Sequence, residues 1–79
     1  GPTPRTGPIA SIDTAFSAEY GNITVTIVVG GLNDYAIQCF RLSGEGADKL
    51  AVGDVITVTG VIKNYKGTIE FDAGCTFTK

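Results

Sequence analysis

Residues 23–29 read Ile-Thr-Val-Thr-Ile-Val-Val, and this alternation limits the fold more tightly than anything else in the chain. Ile23, Val25, Ile27 and Val29 share one face, and Thr24 and Thr26 the other. A two-residue period fits a half-buried β-strand; a helix would repeat its apolar positions every three to four residues. The stiff β-branched side chains favour the same conformation. The pattern returns in Tyr35–Leu42, where Tyr35, Ile37 and Cys39 oppose Ala36, Gln38 and Phe40. It returns again in residues 54–62, where Ile56, Val58, Gly60 and Ile62 oppose Val55, Thr57, Thr59 and Val61. Residues 68–72 form a shorter run that Cys75-Thr76-Phe77 would extend, and residues 9–17 read as a looser, bent first strand. Turn clusters separate these runs at residues 19–22, 30–34, 43–46 and 63–67. Residues 46–52 are long enough for a turn or two of helix ending at Gly53.

Five strands with one helical turn between the third and fourth predict an all-β, five-stranded OB-fold-like barrel. Closure would remove the exposed edges of an open sheet. Gly60 would let its strand bend at a corner. An immunoglobulin-like sandwich needs about seven strands and ~100 residues. The 79 residues here suffice for a single domain. The expected inward residues are Ile12, Ile23, Val25, Ile27, Val29, Ile37, Leu50, Ile56, Val58, Ile62, Ile69 and Phe71.

Composition narrows function mainly by exclusion. The chain has no His, Met or Trp, and only two Cys. It therefore holds no His-based triad or acid/base pair, and two cysteines alone cannot close a structural zinc site. No cofactor motif or EF-hand loop is present, no apolar run approaches bilayer length, and catalysis is not expected. Six basic against eight acidic residues give a net charge of −2, which disfavours nucleic acid, whose phosphates are neutralised by Lys and Arg. Gly1-Pro2 looks like a site-specific protease remnant, and residues 1–7, rich in Pro and Thr, read as linker before a domain at 8–78. The chain is expected to be a module of a longer protein.

The run Leu50-Ala51-Val52-Gly53-Asp54-Val55-Ile56-Thr57-Val58-Thr59-Gly60 resembles a stretch found in many OB-fold domains. Its continuation through Lys63-Asn64-Tyr65-Lys66-Gly67 to Phe71 is similar to the strand 4–5 hairpin of OB-like modules in secreted, multidomain proteins of Gram-positive gut bacteria. Such proteins carry immunoglobulin-like repeats, glycoside hydrolases or nucleases beside these modules. The resemblance implies an extracellular or cell-surface setting and flanking domains. Function transfers poorly, because OB barrels bind oligonucleotides, oligosaccharides or proteins, or act as spacers.

In that fold a ligand crosses the outer face of strands 2 and 3, between the loops joining strands 1–2 and 4–5. The candidate ligand-binding residues are Tyr20, Asn22, Gln38, Phe40, Asn64, Tyr65 and Lys66. Arg41 points inward on strict alternation and would reach this face only through a bulge. A non-catalytic module binding a polysaccharide is the leading expectation. A spacer or protein-docking module, and a single-stranded nucleic-acid binder, are the alternatives. Glu70 and Asp72 share a face but have no evident cleft, and read as solvated charges. Asp54 is expected to bind nearby backbone amides at the entry to its strand. Cys39 and Cys75 would lie on neighbouring strands, where a disulfide closing about 36 residues is worth about 3–4 kcal/mol. Two buried, unlinked thiols are the alternative.

Overall fold

The computed structural model describes residues 2–30 and 32–79. Gly1 of the expected protease remnant and Gly31 of the expected turn at 30–34 lie outside them. The fold is all-β, with seven strands: β1 (Thr3–Ser17), β2 (Asn22–Val29), β3 (Tyr35–Leu42), β4 (Val55–Gly60), β5 (Ile62–Tyr65), β6 (Thr68–Phe71) and β7 (Thr76–Thr78). A 3₁₀ turn, Ala47–Lys49, lies between β3 and β4, where a helical turn is expected.

The strands form one hydrogen-bonded sheet in the order β5-β6-β3-β2-β1-β4-β7. The expected five strands become seven for two reasons. The fourth divides at Val61 into β4 and β5, and residues 76–78 pair with β4 rather than extending β6. The two ends of the sheet, β5 and β7, do not pair with each other. All neighbours are antiparallel except β3 and β6, which run parallel through Gln38↔Glu70 and Cys39↔Phe71.

β1 is the longest element, and it serves two partners. Residues 3–8 pair with β4, and residues 9–17 with β2. Residues 3–7, expected as linker, are thus paired strand. Pro4 and Pro8, unusual in a paired strand, fit this ladder. The Ile9 amide donates to the Asp54 carbonyl at 2.8 Å, so counting back in twos sends the amides of Gly7, Arg5 and Thr3 towards β4. Pro4 and Pro8 then occupy positions where no donor is required. At the branch point, a Cβ on Gly7 would lie 2.8 Å from the Val28 carbonyl carbon and closer still to its oxygen. Only glycine lets β1 pass β2 this closely.

The core contains Ile9, Ile23, Val25, Ile27, Val29, Ile37, Leu50, Ile56, Val58 and Phe71, joined by Cys39, Leu42, Ala47, Cys75 and Phe77. Ile62 and Ile69 pack at its margin. Ile12 is the one expected inward residue left exposed, at 38%. The register shift between Ile9/Ser11 keeps Ile9 and Ile12 on the same side, opposite Ile27 and Val25, but only Ile9 is covered by the core. Gly60 is fixed by packing: a Cβ there would lie 2.8 Å from Cys75 Cβ. Asp54 accepts the Ala51 amide at 3.0 Å, as the sequence indicates, and pairs with Lys79 at 3.1 Å.

Cys39 and Cys75 are both buried and free, so the expected cross-link is not formed. The Cys75 thiol donates instead to the Phe40 carbonyl at 3.4 Å. Burial pushes Cys39 up to about 12 and Cys75 up to about 11, and the proximity of Cys75 adds to the rise at Cys39. Burial thus keeps both thiols protonated at neutral pH.

Candidate functional site

The outward positions of β1, β2, β3, β6 and β5 align across the sheet. The register sets Ser11 beside Thr26, Thr26 beside Gln38, Gln38 beside Glu70 and Glu70 beside Lys63. This gives one continuous polar row crossing five strands. Asp13 ties down one end, accepting from Thr26 Oγ1 at 2.6 Å, Ser11 Oγ at 2.9 Å and Gln38 Nε2 at 3.3 Å. Partial burial raises the Asp13 pKa, but the bonds from Thr26, Ser11 and Gln38 outweigh it and hold the carboxyl below its ordinary value. Lys63 anchors the other end through an ion pair with Asp72 at 2.9 Å.

Above the second half of this row lies a groove of about 360 Å³, lined by Gln38, Phe40, Lys63, Tyr65 and Glu70. Gln38, Phe40 and Tyr65 are expected site residues. Lys63 and Glu70 are additions, because only the β5–β6 register reveals that they share the groove. Tyr65 has Lys63 Nζ and Lys66 Nζ each 5.4 Å from its ring centroid, which favours a fixed ring orientation. The turn that presents it is tighter than the expected loop at 63–67, since residues 62–65 are strand. Lys66 at φ 52° and Gly67 at φ 89° form the two central positions of a type I′ turn. Asn64 is occupied in holding this turn: its Oδ1 accepts the Gly67 amide at 2.8 Å. Its contribution to the site is structural.

A second hollow, of about 280 Å³, is lined by Tyr20, Asn22 and Arg41. Arg41 reaches it through a bulge. Between Ile23↔Leu42 and Val25↔Cys39, β2 advances two residues while β3 advances three. The extra residue lets Cys39 and Leu42 both point inward while Arg41 turns out. Arg41 adopts φ 51°, a left-handed conformation that costs a side-chain-bearing residue about 1–3 kcal/mol. Thr24 compensates by placing its hydroxyl beneath the bulge, where it accepts the Arg41 amide at 3.1 Å. This explains why Thr24, expected outside, is only 6% exposed. The Arg41 guanidinium sits 5.0 Å from the centre of the Phe40 ring. Phe40 lines the larger groove and Arg41 the smaller one, so the stacked pair joins the two.

Charges of both signs surround this face: Arg41, Lys63 and Lys66 among the cations, and Asp13, Glu70, Asp72 and, beside Tyr20, Glu19 among the anions. Among the described residues, no three or more His, Cys, Asp or Glu side chains come together as metal ligands, and no helix is long and apolar enough to cross a membrane. No protein-family model, curated protein or solved structure matches the chain.

Proposed function

We propose that this chain is a non-catalytic binding module of a larger secreted bacterial protein, and that it holds a glycan across the β2–β3 face. The observation that carries the reading is the run of Tyr20, Asn22, Arg41, Phe40, Gln38 and Tyr65 along two joined hollows. Aromatic rings beside amides and hydroxyls suit sugars, whose apolar ring faces stack while their hydroxyls hydrogen-bond. The mixed charge of the face and the net charge of −2 favour a ligand that needs little phosphate neutralisation, which sets single-stranded nucleic acid behind glycan.

The architecture behind this reading is an OB-like barrel. Three features support it: β1 serves both β2 and β4, β3 and β6 run parallel, and Val61 alone connects β4 to β5. Val61 and the bridge between Ser43 and Thr76 link the two halves of the sheet on the side where β5 and β7 do not pair. The secreted setting and flanking domains rest on the resemblance at residues 50–71.

Retention on a panel of insoluble and immobilised polysaccharides tests the function. Wild type is expected to be retained on at least one. Tyr65→Ala and Tyr20→Ala should weaken retention without changing the melting temperature. Absence of retention on every polymer would favour a spacer or docking role. Tight, steeply salt-dependent binding of a labelled oligonucleotide would favour nucleic acid instead.

A further inference from the structure

Arg41 and Lys66 are the cations of the face that make no ion pair among the described residues, and of the two only Arg41 lines a hollow. Lys63 is paired with Asp72, and Lys79 with Asp54. The Arg41 guanidinium makes no ion pair or side-chain hydrogen bond among the described residues; only its backbone amide is engaged, by Thr24. It is exposed, steadied on the Phe40 ring, and borders the hollow shared with Tyr20 and Asn22. A structural arginine would be expected to spend its donors on carbonyls or carboxylates, as Arg5 does on the Pro4 carbonyl and the Tyr35 hydroxyl. Here the planar fork is free, and its matching partner is a carboxylate held by two parallel hydrogen bonds.

We propose that the Arg41 hollow is an acidic-sugar subsite, taking one carboxylate-bearing residue of a glycan whose neutral neighbours lie along the Gln38–Tyr65 groove. This rests on the glycan reading above and adds the substrate class to it. Arg41 pairs with the carboxylate, Asn22 and the Tyr20 hydroxyl offer hydrogen bonds to ring substituents, and Phe40 keeps the guanidinium in place. At about 280 Å³ the hollow lies just below the usual range of small-molecule pockets, so it suits one sugar ring rather than a chain segment. The ligand should be sparsely charged. Asp13, Glu70 and Asp72 lie on the same face and the whole chain carries −2, so a dense polyanion is repelled where a single carboxylate is not.

The bulge supplies a clean test. Glycine is the residue best suited to φ 51°, and Arg41→Gly keeps the amide that Thr24 holds. This variant should therefore melt at or above the wild-type temperature while losing the guanidinium. The probes are hyaluronan oligosaccharides, glucuronoxylan and sialyllactose, each beside its carboxyl-reduced form, with calorimetric titration as readout. Wild type is expected to prefer at least one acidic form over its reduced counterpart by about tenfold or more. Arg41→Gly should abolish that preference. Arg41→Lys, which retains charge without the fork, should restore only part of it. Tyr65→Ala should weaken both forms alike. Equal wild-type affinity for acidic and reduced forms, or an Arg41→Gly variant that keeps the preference, would overturn the subsite and leave the glycan reading standing. Failure of wild type to bind any probe or any neutral polysaccharide would overturn both. Preference for an oligonucleotide over every glycan would overturn both as well.

Discussion

Replacing Gly7 with alanine tests whether the first residues of the chain belong to the fold. The added methyl would lie 2.8 Å from the Val28 carbonyl carbon and nearer to its oxygen. Both obstacles are backbone within the β2 ladder and cannot rotate away. Overpacking a well-packed site costs typically about 1–3 kcal/mol, and a backbone obstacle belongs at the upper end of that range. The chain has one escape, which is to peel residues 3–7 off β4. That loses the ladder Thr3↔Gly60 to Gly7↔Ile56, whose hydrogen bonds are worth about 1 kcal/mol each before the regained chain entropy offsets much of it. Either route leads to a loss of about 2–3 kcal/mol. A 79-residue domain has only about 4–12 kcal/mol to lose. At about 4–8 °C per kcal/mol, Gly7→Ala should melt roughly 10–20 °C below wild type by far-ultraviolet circular dichroism. Gly30→Ala is the control, because the nearest atom to its added Cβ, Asp34 Oδ1, is 3.6 Å away. That substitution should be neutral, or stabilising by about 0.5 kcal/mol through the unfolded state. If Gly7→Ala melts within about 2 °C of Gly30→Ala, residues 3–7 are a linker and the branched path of β1 is wrong.

Thr24→Val should cost about 1–3 kcal/mol in urea unfolding by stranding the Arg41 amide, while Thr24→Ser should recover most of it. Lys66→Asn, which suits the first central position of a type I′ turn, should raise the melting temperature by a few degrees. Neither cysteine should react with iodoacetamide at pH 8 in the folded protein, and both should react once guanidinium unfolds it. Asp13, Asp54 and Asp72 all lie below their ordinary value of 3.8: Asp13 through the hydrogen bonds that outweigh its burial, Asp54 chiefly through the Ala51 amide, and Asp72 chiefly through Lys63. Their folded values are the lower ones, so their stabilisation is complete above about pH 4 and is lost as pH falls through the folded values. Urea midpoints should therefore be flat from pH 7 to about 5 and fall below pH 4; a midpoint that holds or rises on acidification would contradict the sign.

The strands with a regular two-residue period were legible, and so was most of the core they bury. Val25, Ile27, Ile37, Ile56 and Val58 are inside because unbroken alternation leaves no other arrangement. The reading failed wherever the period slips. Register shifts in β1 set Ile9 as well as Ile12 opposite the core residues of β2, and Ile9 rather than Ile12 is the one covered. Thr24 went under and Arg41 came out at another, in β3, which the sequence could name as a condition but not locate. Pro4 and Pro8 concealed a paired strand, because their missing donors matter only on the side of the strand that carries the ladder. Phe77 gave no local sign of reaching the core, since β7 is three residues long and is held by β4, distant in sequence. The candidate site was legible as far as which residues line its two hollows. Tyr20, Asn22, Gln38, Phe40 and Tyr65 do line the two hollows, whereas Lys63 and Glu70 required the β5–β6 register.

Arg41 and Lys66 are the two non-glycine residues among those described whose backbones adopt left-handed angles, and both are cations at the rim of the same face. A stability screen ignorant of function would convert each to glycine or asparagine and report an improvement. The resulting domain would be sturdier and would lack two of the three cations named on the face proposed to bind. Any campaign to harden this module should therefore leave those two awkward corners alone.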